Sequence, residues 1–468
     1  MHRYRAKGLG ALWAAIVLPV AGCSIPTSKE NVAATAQLVA PQTAAPLLWR
    51  RDQAADQQAR DSVEAMLVDG LTVEEAAAVA FLASPELQLA LEQLEISRSQ
   101  LVAASTPPNP IGVIGSRSPG GNWAAFYPGH TLTLGLMQNV IGLLNIPERR
   151  GVAIRDLDRA RFQAAEDCTR LAGRVVQAWL EYSSALQVEQ VRSRSLAVVQ
   201  TAFDNLRQQP QEGEATPEDA ANRLINLGQQ GNELFNAQNQ LQRSTTEVAT
   251  SREKLGQLLG LTGWHDDWKI NGEMPPLPPT DVDAAVLEQA AVGKRLDVQA
   301  AERAVDARLK NLALTRHFRW INQFDIGLFR DVVSGGTAFT GPNAVVEIPL
   351  FDQRQAQLLE GDAQLRSAVR TLESTRINAR AEIRINAQEM HGARLILERY
   401  EQSGLPNFRQ MELALGTPRD PGSADRLRVQ MLMLTAEEER VVMLRDYWRA
   451  RSALALSLAD WPSAQIPH

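Results

Sequence analysis

A helical pattern of unusual length constrains this chain more than any other feature of its sequence. The pattern begins near residue 147 and continues to about residue 208, shortly before a proline. At the 1.5 Å rise per residue of an α-helix, such a segment would be on the order of 90 Å long. A helix of this length does not fold into a compact globule. It forms a rod that buries its apolar stripe against partner helices.

Heptad spacing indicates which side of each rod is buried, because residues spaced alternately by four and three share one face. One such seam consists of Cys168, Ala172, Val175, Trp179, Tyr182 and Leu186. A second, less regular seam contains Leu224, Leu227, Gly231, Leu234, Leu241, Val248, Leu255 and Leu259. The place of Cys168 within the first seam predicts a small core residue rather than a reactive thiol.

Clusters of proline and glycine interrupt the helical patterns at two places. They predict that each half of the chain forms a long helical hairpin with a tight tip. Thr216 is suited to cap the outgoing helix of the first hairpin, with Pro217 at the first helical position and acidic residues in the first turn. The candidate tip residues are Gly213, Thr216, Pro217, Gly416, Pro418, Pro421 and Gly422.

Each hairpin belongs to one of two internal repeats that have the same order of elements. An offset of 211 residues relates Ser84 to Arg295, where a helical pattern begins in each repeat, and also relates Leu101 to Leu312. Two short extended segments and then a hairpin follow each of these patterns. A linker at 273–283, stiffened by its prolines, separates the repeats. The predicted division is 71–272 for the first repeat and 284–460 for the second, with a tail at 461–468.

Four extended segments are predicted to be strands, at 111–116, 130–140, 323–332 and 343–351. Turn-rich segments at 119–122 and 334–336 would join them in pairs. Alternation places Leu132, Leu134 and Leu136 on one face, which suits a membrane barrel wall with lipid on one side and water on the other. An ordinary soluble hairpin is the alternative.

The first residues resemble an export signal. A basic start and a short apolar stretch at 9–20 lead to Val20, Ala21, Gly22 and Cys23. These four residues resemble the bacterial lipobox, in which the cysteine is acylated and becomes the new N-terminus. Residues 1–22 would then be a signal peptide, and 23–70 a lipidated segment. Ser24 resembles the signal for the outer membrane, and a plain signal peptide with an incidental cysteine is the alternative.

The charge and the scattered reactive residues argue against other kinds of protein. The 48 basic and 54 acidic residues give a net charge of −6, so nucleic-acid binding is not expected. Six dispersed histidines lack metal-ligand spacing, and neither a phosphate loop nor a serine–histidine pair is present. The sequence therefore predicts no metal site, no cofactor and no enzyme.

At this point the chain resembles the TolC-type outer-membrane efflux family. Residues 71–76 with 84–87 are similar to the first helix pair of that family, 348–352 to its strand-to-helix junction, and 255–261 to the end of its first hairpin. Gln353 and Arg354 stand where the family usually has small glycines. The first repeat has no clear copy of the junction beyond 138–140.

This resemblance implies a mainly α-helical fold with a small β part. It also implies a homotrimer in which each chain gives four strands to a twelve-stranded outer-membrane barrel and long helical hairpins to a periplasmic tunnel. Residues 24–70, the linker and the helix fragments around 71–104 and 284–314 would wrap the tunnel as an equatorial belt. The implied partners are a periplasmic adaptor protein, an inner-membrane pump and outer-membrane lipid.

The predicted function is that of a passive exit duct, which the helical tips close. Three acidic residues near the second tip are candidates for a cation-selecting ring. They are Glu412, Asp420 and Asp425. A structural periplasmic coiled-coil lipoprotein without a pore and a periplasmic hydrolase are the alternatives. The sequence does not identify the exported cargo and leaves four classes: drugs, metal ions, siderophores and small proteins.

Overall fold

Helices make up most of the chain in a computed structural model. The model describes residues 25–39, 47–118, 130–208, 217–263, 267–271, 274–281, 283–320, 323–414 and 424–460. The shorter helices are α1 (Ser28–Val39), α2 (Gln53–Leu67), α3 (Val73–Ala83), α4 (Pro85–Ser105), α5 (Val140–Leu144), α8 (Ala284–Lys294), α9 (Leu296–His317) and α11 (Leu405–Ala414). The long rods are α6 (Ile146–Gln208), α7 (Pro217–Leu259), α10 (Gln355–Arg399) and α12 (Ala424–Ser457).

The longest rod confirms the helical pattern that dominates the sequence. Helix α6 has 63 residues and begins one residue before the predicted start. Helix α7 begins at Pro217, as predicted, with Glu218 and Asp219 in its first turn. Proline fits this position because the first turn has no carbonyl partner for its missing N–H. Carboxylates there face the positive end of the helix dipole.

End-to-end contacts show that the two repeats share one plan. Gly260 directly follows the last residue of α7 and has a φ of 73°. A Cβ atom there would lie 2.6 Å from the Ala83 carbonyl oxygen, just before α4 begins, so glycine permits a close approach of the two helices. In the second repeat, Arg295 before α9 reaches the Ser457 carbonyl at the end of α12. In each repeat, one long rod thus packs beside two helices that meet end to end. The rod α6 packs beside α4 and α7, and the rod α10 packs beside α9 and α12.

The four strands form one antiparallel sheet in the order β1 (Ile111–Arg117), β2 (Thr131–Asn139), β3 (Phe324–Val333) and β4 (Ala338–Val346). The first three predicted strands are confirmed to within one residue at each end. The prediction for the fourth, at 343–351, is wrong, because β4 begins five residues earlier. The chain leaves the sheet after Glu347, whose N–H donates to the Gln323 carbonyl. Pro349 follows and has no N–H to give to a ladder.

The core lies where short helices cover the rods. The Trp179 indole on α6 donates to the Leu71 carbonyl at 3.0 Å, and the Trp448 indole on α12 donates to the Pro275 carbonyl at 2.8 Å. Cys168 is fully buried, which confirms its prediction as a core residue. The second seam is buried only at its end. Leu255 and Leu259 are covered, whereas Leu224 is 70% exposed, because on this rod only α6 packs against that stretch.

One of the rods contains an irregular turn. A π-helical turn at Tyr400–Gly404 continues α10 into α11. Within the described ranges, no helix combines the length and the hydropathy that a membrane crossing requires.

Candidate functional site

The sheet has two chemically different faces. The ladder pairs Leu134 with Arg330 and Leu136 with Leu328, so these residues share a face with Leu132 and Ile326. On the two central strands, the leucine and isoleucine side chains of this face are between 38% and 46% exposed. None of the described helices covers this apolar face, although burial of apolar surface is the main drive of folding.

Polar side chains hydrogen-bond to one another on the opposite face. The Thr133 hydroxyl donates to Asp331 Oδ1 at 2.6 Å, and the Asn139 amide donates to Asp325 Oδ1 at 2.8 Å. The Gln323 amide also donates to Asp325, which is only 3% exposed. Hydrogen bonds to the charged form compensate the burial of that carboxylate. These hydrogen bonds hold the polar side chains of this face in place, beside the apolar Val113, Phe329 and Phe339 that share the face.

Two glycines allow close cross-strand packing on the polar face. The ring of Phe329 lies over Gly135, where a Cβ atom would come within 2.6 Å of the ring. A Cβ atom at Gly327 would lie 2.4 Å from the Leu136 carbonyl oxygen. The backbone contact at Gly327 cannot relax by a rotamer change, whereas the ring at Gly135 can turn away.

Strands β1 and β4 leave both edges of the sheet open. Each pairs with one neighbour in the described part of the chain, so the outer side of each presents unpaired N–H and C=O groups. Ile114 on β1 and Phe339 on β4 add exposed apolar side chains at these edges. The sheet has the form of a segment that another strand can extend at either side.

Two of the long rods, α7 and α10, also expose apolar side chains. Helix α7 packs against α6 and exposes Ile225 and Phe235, the latter 62% exposed. Helix α10 packs against α9 and α12 and exposes Leu359, Ile377 and Ile385. Rows of exposed apolar side chains on long helices are typical of surfaces that a partner helix covers.

The linker between the repeats is fixed to the rods by charged groups. Asp281 Oδ1 accepts hydrogen bonds from Arg394 at 2.9 Å and from the Tyr447 hydroxyl at 2.7 Å. Burial, reinforced by the bond to Asp281, raises the pKa of Tyr447 to about 12. The carboxylate thus joins the belt of short helices and linker to α10 and α12.

Most of the predicted site residues lie outside the described ranges. These are Val20, Ala21, Gly22, Cys23, Gly213, Thr216, Gly416, Pro418, Asp420, Pro421 and Gly422. Pro217 is the first residue of α7, and Glu412 belongs to α11. Asp425 is in the first turn of α12 and is 78% exposed, with Arg428 at 3.6 Å.

Cys168, the cysteine of the described ranges, is a buried free thiol. Burial raises the pKa of the Cys168 thiol to about 12, so the thiol stays protonated and is a poor nucleophile. In the same ranges, three or more histidine, cysteine or acidic side chains never come together in a way that would hold a metal ion.

Sequence reasoning missed three features of this arrangement. Alternation in the predicted third strand places Asp325 opposite Ile326 and Leu328, but Asp331, which the same alternation puts on the face of Asp325, was missed. Arg330 interrupts the apolar alternation between Leu328 and Val332, which is a signal in the sequence. The contact of Asp281 with Arg394 has no local signal, because 113 positions separate the two residues.

Solved structures match the chain in fold, although no protein-family model and no curated protein sequence matches it. The open state of the Neisseria gonorrhoeae MtrE outer membrane channel is 13% identical, with a TM-score of 0.66 over 83% of this chain and 89% of that one. The Campylobacter jejuni CmeC outer membrane channel is 13% identical, with a TM-score of 0.64 over 82% of this chain and 85% of that one. The outer membrane protein VceC of Vibrio cholerae is 16% identical, with a TM-score of 0.61 over 88% of this chain and 98% of that one. These matches confirm the predicted fold class.

Proposed function

Because the chain has the TolC-type outer-membrane channel fold, we propose that it is one subunit of a homotrimeric outer-membrane channel. The observation that carries this proposal is the sheet with one apolar face, one polar face and two open edges. Open edges are not tolerated in lipid, so four strands alone cannot form a stable membrane structure. Three copies would join their edges into twelve strands, with the apolar faces toward lipid.

The exposed side chains of the rods also support an assembly of three copies in a ring. A neighbouring copy that pairs its β1 with β4 would also bring its α7 toward α10. Each of these helices exposes apolar side chains along its length, including Phe235 on α7 and Ile377 on α10. Contact between the two surfaces would bury side chains that water now surrounds, which stabilises the assembly. The long hairpins of three copies would then enclose a periplasmic tunnel.

A lipid anchor on Cys23 fits the path of the N-terminal segment. The Arg98 side chain on α4 donates to the Pro26 carbonyl at 2.7 Å. From Arg98, α4 rises about 10 Å to its end at Ser105, just below β1. A length of about 10 Å equals the span of three extended residues, so an anchor three positions before Pro26 would be compatible with the level at which the sheet begins. An acyl chain there would enter the inner leaflet of the outer membrane.

The channel is proposed to be a passive exit duct that works with a periplasmic adaptor and an inner-membrane pump. The hairpin tips, between α6 and α7 and between α11 and α12, would close the tunnel and meet the adaptor. Helix ends present unpaired backbone groups that a partner can bind. Glu412, Asp420 and Asp425, tripled by symmetry, would favour cations at that end.

Conductance and stoichiometry test this proposal. The purified, detergent-solubilised protein is expected to have the mass of three chains by light scattering and to conduct ions in a planar lipid bilayer. Replacement of Leu134 and Leu328 by Asp should abolish insertion, because it places charges on the lipid face. A monomer without conductance would reject the channel and favour the alternative of a structural coiled-coil lipoprotein.

A further inference from the structure

Arg330 carries the single formal charge on the apolar face of the described sheet. Strand alternation and register place it in a row with Ile114, Leu134 and Thr340. The rows on either side continue with leucine, valine and other uncharged residues. An arginine in this setting is costly in a membrane unless its head group finds a partner, because hydrocarbon does not solvate charge.

Among the residues that the structure describes, the guanidinium of Arg330 has no such partner. The residue is exposed, and it makes no hydrogen bond or ion pair in the described ranges. The nearest acid along the chain, Asp331, points to the opposite face and accepts from Thr133. On β3 the residue also lies one strand away from the open edge of β4, so a neighbouring copy would be about 10 Å distant.

The height of Arg330 on the strand places it toward the outer end of the apolar face. It precedes the turn at Ser334 by four residues, or about 13 Å along the strand, and follows Phe324 by six residues, or about 20 Å. A long arginine side chain extends its head group toward an interface while its stem stays in apolar surroundings. Snorkelling toward the turn would bring the guanidinium to the level of the lipid head groups.

We propose that Arg330 binds the phosphate group of an outer-leaflet lipid, an inference that rests on the proposed membrane position of the sheet. The planar guanidinium donates two parallel hydrogen bonds, a geometry that matches phosphate oxygens. Thr340, its cross-strand partner on β4, adds a hydroxyl donor on the same face. Leu134 and Leu328 beside it offer apolar contact to the acyl chains.

A matched pair of variants tests this site. Arg330→Gln removes the charge from the apolar face, and Arg117→Gln removes an exposed arginine near the same end of the sheet from the polar face. Each full-length protein is reconstituted in phosphatidylcholine nanodiscs with or without a small fraction of diphosphoryl lipid A. Native mass spectrometry then measures the lipid A that stays bound, and a thermal scan measures the midpoint of trimer dissociation.

Wild-type protein and Arg117→Gln are expected to retain lipid A and to gain thermal stability from it. Arg330→Gln should retain about tenfold less, which corresponds to one charge-assisted contact. Equal retention by Arg330→Gln in an inserted trimer would overturn the lipid site while leaving the channel in place. An equal thermal shift from inorganic phosphate would overturn the assignment to lipid. A wild-type protein that neither inserts nor trimerises would overturn the channel, and this site with it.

Discussion

Asp281 accepts a hydrogen bond from the Tyr447 hydroxyl at 2.7 Å, although 166 positions separate the two residues in the chain. The same carboxylate oxygen accepts from Arg394 on the neighbouring rod. Asp281 belongs to the linker between the repeats, whereas Tyr447 and Arg394 lie on α12 and α10. One side chain therefore fixes the linker to both rods of the second hairpin.

Asp281→Ala should destabilise the protein by about 2 kcal/mol, because it leaves the largely buried Arg394 and Arg451 without this carboxylate. The midpoint of urea unfolding, followed by far-ultraviolet circular dichroism, measures the change. Asp425→Ala is the control, since its ion pair with Arg428 is exposed and should contribute less than about 0.5 kcal/mol. Equal effects of the two substitutions would contradict a stabilising role of the linker contact.

The stability of the protein should fall as the pH rises from about 10 to about 12. The pKa of Tyr447 is raised from 10.0 to about 12 in the folded state, mainly by burial. The folded protein therefore holds the phenol proton more tightly than the unfolded chain, and this contribution is complete below pH 10. It is lost as the pH approaches 12, and it amounts to about 2 to 3 kcal/mol at most.

Urea titrations at a series of pH values check this dependence. Tyr447→Phe should unfold at lower urea than wild type at pH 8, because the bond to Asp281 is absent. It should also lose less stability between pH 10 and pH 12. Part of the loss will persist, because burial also raises the pKa of Tyr400 to about 12. Parallel pH profiles of wild type and Tyr447→Phe would show that Tyr447 does not titrate in this way.

Gly327→Ala should prevent formation of the sheet, whereas Gly135→Ala should be tolerated after a small adjustment. The new methyl at 327 would meet the Leu136 carbonyl oxygen at 2.4 Å, and backbone atoms of a paired strand cannot move aside. At 135 the three atoms nearest to the new methyl all belong to the Phe329 ring. Gly112→Ala is the neutral control, since nothing lies within 4 Å of a Cβ atom there.

The yield of folded trimer in detergent, measured by size-exclusion chromatography with light scattering, separates these variants. The expected order is wild type and Gly112→Ala first, Gly135→Ala slightly lower, and Gly327→Ala last. The double variant Gly135→Ala, Phe329→Ala should recover the wild-type yield, because the ring that meets the methyl is gone. Normal assembly of Gly327→Ala would show that the β2–β3 register differs from the one described.

Local patterns in the sequence predicted the rods and three of the strands, because helix caps, breakers and strict alternation act over a few residues. The start of α7 at Pro217 is one such case. The fourth strand was misplaced because Ile348, Leu350 and Phe351 continue an apolar pattern beyond Val346, where backbone pairing ends. Alternation records which side chains are apolar, and it does not record which backbone groups find a partner.

Contacts between distant parts of the chain left no comparable signal. The seam of α7 has apolar residues near both ends of the helix, yet Leu224 is exposed and Leu255 is buried. The heptad pattern identifies a face that needs covering, and a single chain need not supply the cover. For the same reason, the linker contact between Asp281 and Arg394 follows from the assembled fold rather than from spacing.

Bulky residues at the second tip should reduce transport without preventing assembly. In the sequence, Gly416 and Gly422 fall between the end of α11 at Ala414 and the start of α12 at Ala424, in the segment predicted to form the second tip. If three such tips close the tunnel, replacing either glycine by Trp changes how they meet, while the sheet and the belt keep their contacts. Single-channel conductance should then change at least twofold, with the trimer intact by light scattering and present in the outer-membrane fraction. Gly151→Trp is the matched control, because it lies on α6 near the sheet with open space around its Cβ position. Unchanged conductance and unchanged binding of an adaptor by both tip variants would reject the second tip as the gate.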